Sequence, residues 1–435
     1  MSVQSQDVPP AEGGFSRRNL LHGGLFLGGA VVGGAVTAAT REALSPEPGG
    51  GVIPFYGRHQ AGILTDTQQH TVIAAFDVNT ARRDHLIEVL KRWSQLAAKL
   101  TRGESTTVPI YEPADLDVKS EYANTTVKST TSDSLEAWGT GPNRLTVTFG
   151  FGRSLFVKDG IDRFGLKSRL PEQLVELPHF PGDQLTAGHS DGDLLVHACG
   201  DDLQVVFHAV RSIARIAPDI ATLRWTQLGY SPSDAAGTPR NLMGFKDGTV
   251  NSNAHPPDDL AATLWAAENG PDWMHDGSYL VYRRIRMALE HWDRLSVASQ
   301  EQVIGRRKVN GALLGGTDEF AELKVGGLPE NSHVRLSSPD ENNGAVLVRR
   351  AFSYNNGTTP FTERWPPWRQ GLEYDAGLLF LAYQQDPRNA FIPMNRKLSV
   401  SDALYQFLTH TASAVFAVPP GATGPDRWVG EGLFS

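Results

Sequence analysis

Three side chains that lie far apart in the sequence have the chemistry of a metal-assisted oxidation site. Asp247 lies between Gly244 and Gly248 on a predicted loop. His333 is predicted at the start of a strand, and Arg349 on the next strand. A carboxylate can take up and return a proton, an imidazole can bind a metal, and a guanidinium is a permanent cation that stabilises developing negative charge.

Each of these residues also has an ordinary interpretation. Asp-Gly is a common turn pair, a lone histidine on a strand is more often a core or surface residue, and an arginine can form a buried ion pair or a solvated edge. None of the thirteen histidines falls in a zinc-binding spacing such as HExxH. A single axial imidazole is, however, all that a haem requires from its protein.

Strand alternation separates the neighbouring arginines at 349 and 350, because successive side chains point to opposite faces. One face carries Val346, Val348, Arg350 and Phe352, and the other carries Leu347, Arg349, Ala351 and Ser353. The small side chains beside Arg349 leave space for a planar cofactor and a peroxide. Arg349 is therefore the expected catalytic arginine.

The first residues predict an export signal rather than a folded element. Arg17 and Arg18 precede an apolar, Gly/Ala-rich run to about residue 39, which is typical of a twin-arginine signal peptide. We assign residues 1–43 to the signal and 44–54 to a linker; a disordered basic tail is the alternative. Cys199 is the single cysteine, so no internal disulfide can form, and the net charge of -8 gives no nucleic-acid footprint.

The remaining chain repeats one pattern of strands and helices. In the first half we predict strands at 71–78, 144–151 and 193–199 and helices at 82–100 and 203–216. In the second half we predict strands near 279–285, 345–354 and 377–384 and helices at 291–307 and 402–415. These two βαββ-type units predict an α+β fold with antiparallel sheets, divided into residues 55–230 and 231–435.

Together these motifs resemble the dye-decolourising peroxidase family, in particular its twin-arginine-exported branch that includes the deferrochelatases. The resemblance rests on a glycine-flanked aspartate followed by a histidine and an arginine, and it extends through most of the chain. The matching segments are 55–62, 239–248, 304–308, 333–336, 348–350 and 428–434. It implies two ferredoxin-like βαββαβ halves, with haem b held in the C-terminal half.

The resemblance also implies roles for individual residues. His333 is the proximal iron ligand, Asp247 the distal acid–base group and Arg349 the distal arginine. Weaker implied haem contacts are Gly248, Thr249, Val250, Ser338, Pro339 and Asp340. Some members hydrogen-bond the proximal imidazole to a carboxylate on the last helix; Gln406 or Asp386 is the expected counterpart here. Candidate aromatic electron relays are Tyr354, Trp365, Trp368, Tyr374 and Tyr405.

The expected function is an exported peroxidase that reduces hydrogen peroxide and oxidises aromatic or dye-like donors, with an acidic optimum because aspartate has a low ordinary pKa. The alternatives are a deferrochelatase-like haem-binding protein in iron uptake and an exported binding protein without cofactor. Expected partners are the twin-arginine export machinery, an envelope iron-uptake or redox partner and a second copy in a homo-oligomer. The expected location is periplasmic or extracellular.

Overall fold

The computed structural model describes residues 51–104, 133–232, 237–250, 255–266, 270–362 and 370–435. The predicted signal peptide over 1–43 and residues 44–50 of the linker lie outside these ranges, as do Trp365 and Trp368. Across the described ranges, no helix combines the length and the hydrophobicity needed to cross a bilayer.

The described chain alternates strands with helices in two successive sets. The strands are β1 (His70–Val78), β2 (Thr146–Gly152), β3 (Leu194–Gly200), β4 (Ala221–Tyr230), β5 (Ser278–Met287), β6 (Val348–Arg349), β7 (Phe352–Thr362), β8 (Gln370–Gln384) and β9 (Leu408–Val418). The α-helices are α1 (Arg83–Leu100), α2 (Arg153–Phe156), α3 (Leu203–Arg215), α4 (Leu260–Thr263), α5 (Leu289–Trp292), α6 (Val297–Ile304), α7 (His333–Leu336) and α8 (Phe391–Ser401). Short 3-10 helices include Ala403–Phe407.

Both halves of the chain build a four-stranded antiparallel sheet with the same connectivity. The strand order is β2-β3-β1-β4 in the first half and β9-β5-β8-β7 in the second. In each, the first and third strands of the unit are central, and the second and fourth are at the edges. This is the βαββαβ order of a ferredoxin-like unit, so the predicted α+β fold with a duplicated unit is confirmed.

The edges of the two sheets pair with each other and close a barrel of eight strands. Phe151 of β2 pairs with Ala417 of β9, and Tyr230 of β4 pairs with Ser353 of β7. The short strand β6 extends the sheet beside β7, on the same edge of β8. A cluster of buried side chains contributed by strands of both halves fills the interior of the barrel.

Strand β8 separates this barrel interior from the cavity described below. Leu379, Leu381 and Tyr383 belong to the interior cluster, whereas Leu378 and Phe380 face the cavity. This alternation follows from the two-residue period of a strand. A single strand therefore contributes to both compartments.

The first half follows the predicted elements closely, because its periodicity is strong. Helix α1 buries Leu86, Val89, Leu90 and Trp93 on one face, as the helical spacing predicts. Helix α3 begins at its predicted residue, since the Asp202 side chain accepts hydrogen bonds from the backbone N–H groups of Gln204 and Val205. Strand β4 completes the unit and was not predicted.

The second half differs from the predicted elements in several places. The helix predicted at 402–415 is wrong: a 3-10 turn occupies 403–407 and strand β9 follows. The helix predicted at 291–307 is two shorter helices, α5 and α6. The strand predicted at 345–354 is interrupted between β6 and β7. His333, predicted at the start of a strand, is the first residue of helix α7.

The prediction of a helix at 402–415 failed because both faces of β9 are buried. Every residue from Ala412 to Val418 is buried, so the strand shows no alternation of apolar and polar residues. Its alanines favour the prediction of a helix. The true last helix, α8, contains Pro393 in its first turn. Proline is tolerated there because the first N–H groups of a helix have no intrahelical partner.

Candidate active site

Asn241 folds the loop that presents Asp247. Its side-chain Oδ1 accepts hydrogen bonds from the backbone N–H of Met243 at 3.1 Å and of Phe245 at 3.3 Å. Gly244 follows with φ of 84°, a conformation that glycine adopts without steric cost. The Nδ2 atom of Asn241 lies 3.5 Å from Asp247 Oδ2, so one residue shapes the loop and touches the carboxylate.

Arg349 is paired with Asp247. Its Nη1 donates to Asp247 Oδ1 at 2.8 Å and its Nη2 donates to the carbonyl oxygen of Val250 at 3.1 Å. The side chains of Arg349 and Asp247 keep 26% and 18% of their surface exposed. The two groups are thus fixed relative to each other and still reach open space.

His333 is held by a carboxylate that was not predicted. Its Nδ1 lies 2.6 Å from Asp402 Oδ2, and the Asp402 side chain is only 1% exposed. The other Asp402 oxygen accepts from the backbone N–H of Leu404 at 2.8 Å. Burial alone would lower the pKa of His333, but the adjacent Asp402 carboxylate outweighs it and the pKa is raised.

The predicted partners of His333 are therefore wrong. Gln406 is exposed and donates to the carbonyl oxygen of Ala403 in its own turn. Asp386 instead pairs with Arg388 at 2.8 Å. The carboxylate that fills the role is Asp402, the residue that caps the 3-10 helix.

Asp247, His333 and Arg349 line one cavity of about 1520 Å³, a volume that includes its mouth. The predicted juxtaposition of these three groups is thus present in the fold. The remaining wall is mostly apolar and includes Met243, Phe245, Ile285, Met287, Ile304, Leu347, Leu378, Phe380, Phe391, Met394 and Leu404. A large apolar pocket with a few convergent polar groups is typical of a cofactor site.

Among the weaker predicted contacts, most lie at the cavity and one does not. Gly248, Thr249, Val250, Ser338 and Pro339 line it. Asp340 is exposed and is not among the residues of the wall. The three tyrosines predicted as candidate electron relays lie in different places. Tyr405 lines the cavity, Tyr354 is inside the barrel, and Tyr374 is 49% exposed.

Two arginines in the cavity wall were not assigned a role from sequence. Arg306 is 6% exposed, and its Nη1 donates to the carbonyl oxygens of Gly311 and Glu319 at 2.7 and 3.0 Å. Arg283 is 1% exposed and pairs with Asp183, and its buried Nε has no hydrogen-bond partner among the described residues. Arg306 lies in the segment 304–308, which resembles the family in sequence, but only the fold shows that Arg306 faces this cavity.

The composition of the cavity fits a haem. One imidazole has a single nitrogen engaged by Asp402, which leaves the second nitrogen for a metal. The apolar walls suit a flat macrocycle, and the buried cations suit its carboxylates. Within the described ranges, no cluster of three or more His, Cys, Asp or Glu residues could hold a bare metal ion.

Comparison with known proteins supports the same conclusion. Profiles described as Dyp-type peroxidase, N-terminal, and Dyp-type peroxidase, C-terminal, match residues 60–231 and 238–423. A dye-decolorizing peroxidase from Thermobifida fusca is 36% identical over 367 residues, covering 81% of this chain and 76% of that protein. The chain belongs to the Dyp-type peroxidase family.

Other relatives of this Dyp-type peroxidase include a protein named deferrochelatase and two solved structures. A protein from Escherichia coli O6:K15:H31 named deferrochelatase is 32% identical over 440 residues, covering 96% of both chains. The structure of ferric DtpA from Streptomyces lividans has a TM-score of 0.75 and 39% identity, and covers 89% of this chain and 98% of that one. A DyP-type peroxidase from Streptomyces coelicolor has a TM-score of 0.74 and 40% identity, with 88% and 97% covered.

The family assignment confirms the reaction class and the cofactor. The protein is a haem peroxidase that uses hydrogen peroxide and a reducing substrate. The predicted division at residues 55–230 and 231–435 stays a prediction, as do the roles of individual residues.

Proposed function

We propose that the protein is an exported haem b peroxidase that oxidises aromatic or dye-like donors, with His333 as iron ligand, Asp247 as proton shuttle and Arg349 as the group that stabilises O–O cleavage. One observation carries this proposal. Asp247 and Arg349 are joined at 2.8 Å on the wall of the cavity that His333 also lines. Storage of haem alone needs no such acid and cation.

His333 would hold the cofactor from α7. Because Nδ1–H of His333 donates a hydrogen bond to Asp402, the lone pair of Nε2 is left for the iron; the hydrogen bond defines this tautomer. Arg306 and Arg283 would bind the carboxylates of the cofactor. When bound, the haem supplies the redox centre that exchanges electrons with peroxide and with the donor.

Asp247 would move the proton. Peroxide must lose a proton from one oxygen and gain one at the other before water can leave, and a carboxylate can do both in turn. Arg349 donates to Oδ1 at 2.8 Å, whereas the one hydrogen-bond contact of Oδ2 with the described residues is the long 3.5 Å contact with Asn241. We assign Oδ2 as the oxygen that carries the proton.

Arg349 would stabilise the charge that develops as the O–O bond breaks. It is a cation at every working pH, and its hydrogen bonds to Asp247 and to the Val250 carbonyl oxygen fix its direction before the reaction begins. Because the guanidinium is already oriented, little reorganisation of the side chain is needed while the O–O bond breaks.

The test is rapid mixing of the haem-loaded protein with hydrogen peroxide. Asp247→Asn removes the base and is expected to slow the reaction by about 10²–10⁴-fold, while the absorption spectrum of the resting haem is retained. Asp340→Asn is the matched control, since it removes an exposed carboxylate outside the cavity. An Asp247→Asn rate equal to that of the wild type would rule out the proton shuttle.

A second candidate, a haem-binding protein in iron uptake, is favoured by the relatives named deferrochelatase. The two functions share the cavity but differ in product. Incubation of the haem-loaded protein with a ferrous chelator and a reductant, without peroxide, would yield free iron and an intact porphyrin only under the second function.

Export by the twin-arginine machinery to the periplasm or the cell exterior is proposed from Arg17 and Arg18. A homo-oligomer and an envelope redox or iron-uptake partner remain part of this proposal. Replacing both arginines by lysine is expected to retain the protein in the cytoplasm, as measured by cell fractionation.

A further inference from the structure

A chain of three oxidisable or proton-accepting side chains lies inside the barrel, outside the cavity. Tyr383 Oη lies 3.1 Å from His197 Nδ1, and His197 Nε2 lies 3.1 Å from Cys199 Sγ. All three residues are 0% exposed. One imidazole thus connects a buried phenol to the single thiol of the protein.

Arg350 places a buried positive charge in the same interior as this chain. It is 0% exposed and donates to the Thr65 carbonyl oxygen and to Gln68, both neutral acceptors. Among the described residues no carboxylate lies within salt-bridge distance of it, and its Nε has no hydrogen-bond partner. A buried cation is costly unless an anion compensates it.

The Cys199 thiolate is the anion available. Burial would raise the pKa of the thiol, but His197 and Arg350 outweigh it and lower the pKa to about 6. The Thr71 hydroxyl, 3.4 Å from the sulfur, donates its proton to the Ala198 carbonyl oxygen at 3.1 Å, so the charge on the sulfur is stabilised by His197 and Arg350. A thiolate is more easily oxidised than a thiol, so the interior holds a reductant without access to solvent.

Tyr383 is the member of the chain that lies on β8, the strand that also lines the cavity. In the β6–β8 pair it lies opposite Val348, and the next pair joins Ala382 to Arg349. Successive side chains of a strand point to opposite faces, so Tyr383, inside the barrel, is separated from the cavity by the backbone of β8 alone. Phe380 and Leu378 of the same strand face the cavity itself.

We propose that Tyr383, His197 and Cys199 form an internal relay that supplies electrons to the oxidised haem centre when no external donor is available. This inference rests on the peroxidase activity, which provides the oxidising equivalents. The relay gives the enzyme a defence against self-oxidation that is independent of the donor site.

The relay conserves charge and protons at each step. First, Tyr383 loses one electron towards the cavity and its phenolic proton moves to Nδ1 of His197. Second, the Cys199 thiolate gives one electron to the phenoxyl oxygen, and the proton returns from Nδ1 to that oxygen. The net result is one electron taken from sulfur, a thiyl radical in place of the thiolate, and no net proton transfer.

The experiment treats the haem-loaded protein with a small excess of hydrogen peroxide in air, without and with a phenolic donor. Two signals are followed: the tyrosyl radical by freeze-quench electron paramagnetic resonance, and the alkylatable Cys199 thiol by mass spectrometry after denaturation. Peroxide consumption is measured in parallel. Dissolved oxygen captures the thiyl radical and makes the loss of thiol permanent.

The wild type is expected to lose the thiol only when the donor is absent. Tyr383→Phe should lose several-fold less thiol, and Cys199→Ser should show a several-fold longer-lived tyrosyl signal. Tyr282→Phe is the matched control, because Tyr282 is buried in the same interior and stacks on Trp225 at 4.8 Å; it should behave as the wild type.

Two results would overturn the relay. One is an intact Cys199 thiol in wild-type protein that has consumed peroxide without a donor. The other is equal thiol loss in Tyr383→Phe, which would mean direct oxidation by peroxide. A wild type that consumes no peroxide at all contradicts the proposed peroxidase instead, so the two failures are distinguished.

Discussion

Replacing Asp402 by asparagine tests how the protein tunes the proposed iron ligand. In the wild type one carboxylate oxygen accepts from His333 Nδ1 at 2.6 Å and the other from Leu404 N–H at 2.8 Å. An amide of the same shape has only one accepting oxygen. Asp402→Asn must therefore lose one of these bonds and turns an NH₂ group towards a donor.

The expected cost follows from the bond that is lost. A hydrogen bond to a charged group contributes about 1.5–3 kcal/mol, against about 0.5–1.5 kcal/mol for a neutral one. Loss of a carboxylate behind a metal-bound histidine typically costs about 10–100-fold in affinity or activity, which corresponds to a similar free energy. We expect Asp402→Asn to weaken haem binding by about 10–100-fold.

Haem affinity is measured by transfer of haem to a scavenging globin, and the reduction potential by spectroelectrochemistry. The neutral partner makes the imidazole a weaker electron donor, so the reduction potential is expected to rise. Gln406→Ala is the control, because Gln406 is exposed and bonds only its own turn. Unchanged transfer kinetics and potential in Asp402→Asn, or an equal effect of Gln406→Ala, would refute this reasoning.

Three further changes have defined outcomes. Arg349→Lys keeps the charge but not the two-pronged geometry, so the rate of peroxide reaction should fall by about 10²–10³-fold in stopped-flow measurements. Burial lowers the pKa of His410 to about 4 from 6.5, so the unfolded chain binds more protons between these values. The free energy of unfolding should then drop by up to about 3 kcal/mol as the pH falls through that window, and His410→Gln should flatten the dependence in denaturant titrations. A Cβ at Gly377 would lie 1.9 Å from the Ile285 carbonyl oxygen, so Gly377→Ala should destabilise the fold by about 3 kcal/mol. Gly371→Ala on the same strand should be nearly neutral, because no described atom lies within 4 Å of a Cβ at that position.

The sequence was sufficient to find the residues with unusual chemistry but not the group that supports them. Asp247, His333 and Arg349 have side chains and neighbours that point to a reaction, and all three reach one cavity. Asp402 was missed because the segment after it was predicted as a helix. The resemblance implies a carboxylate on the last helix, and Gln406 or Asp386 was the expected counterpart; the structure has a 3-10 turn there, capped by Asp402.

The error at the end of the chain has a physical origin. Periodicity identifies an element only when one of its faces is polar, and β9 is buried on both faces from Ala412 onward. Helix α1, with one exposed face, was predicted almost to the residue. The signal is therefore weakest where a strand of the barrel wall is covered on both faces. β9 is such a strand, and Leu408 and His410 near its start line the cavity.

Strand β6 joins the two compartments of the protein through its register. The pairs Val348–Tyr383 and Arg349–Ala382 send Arg349 towards the cavity and Arg350 into the barrel interior, where its charge lowers the pKa of Cys199. Because the side-chain period is two, a slip of one residue would exchange the two arginines. Arg350 N–H, bonded to the Leu381 carbonyl oxygen at 2.8 Å, opposes that slip. The proposed distal cation, Arg349, and the buried cation of the proposed relay, Arg350, are thus set by the same backbone bonds, and neither can be repositioned without the other.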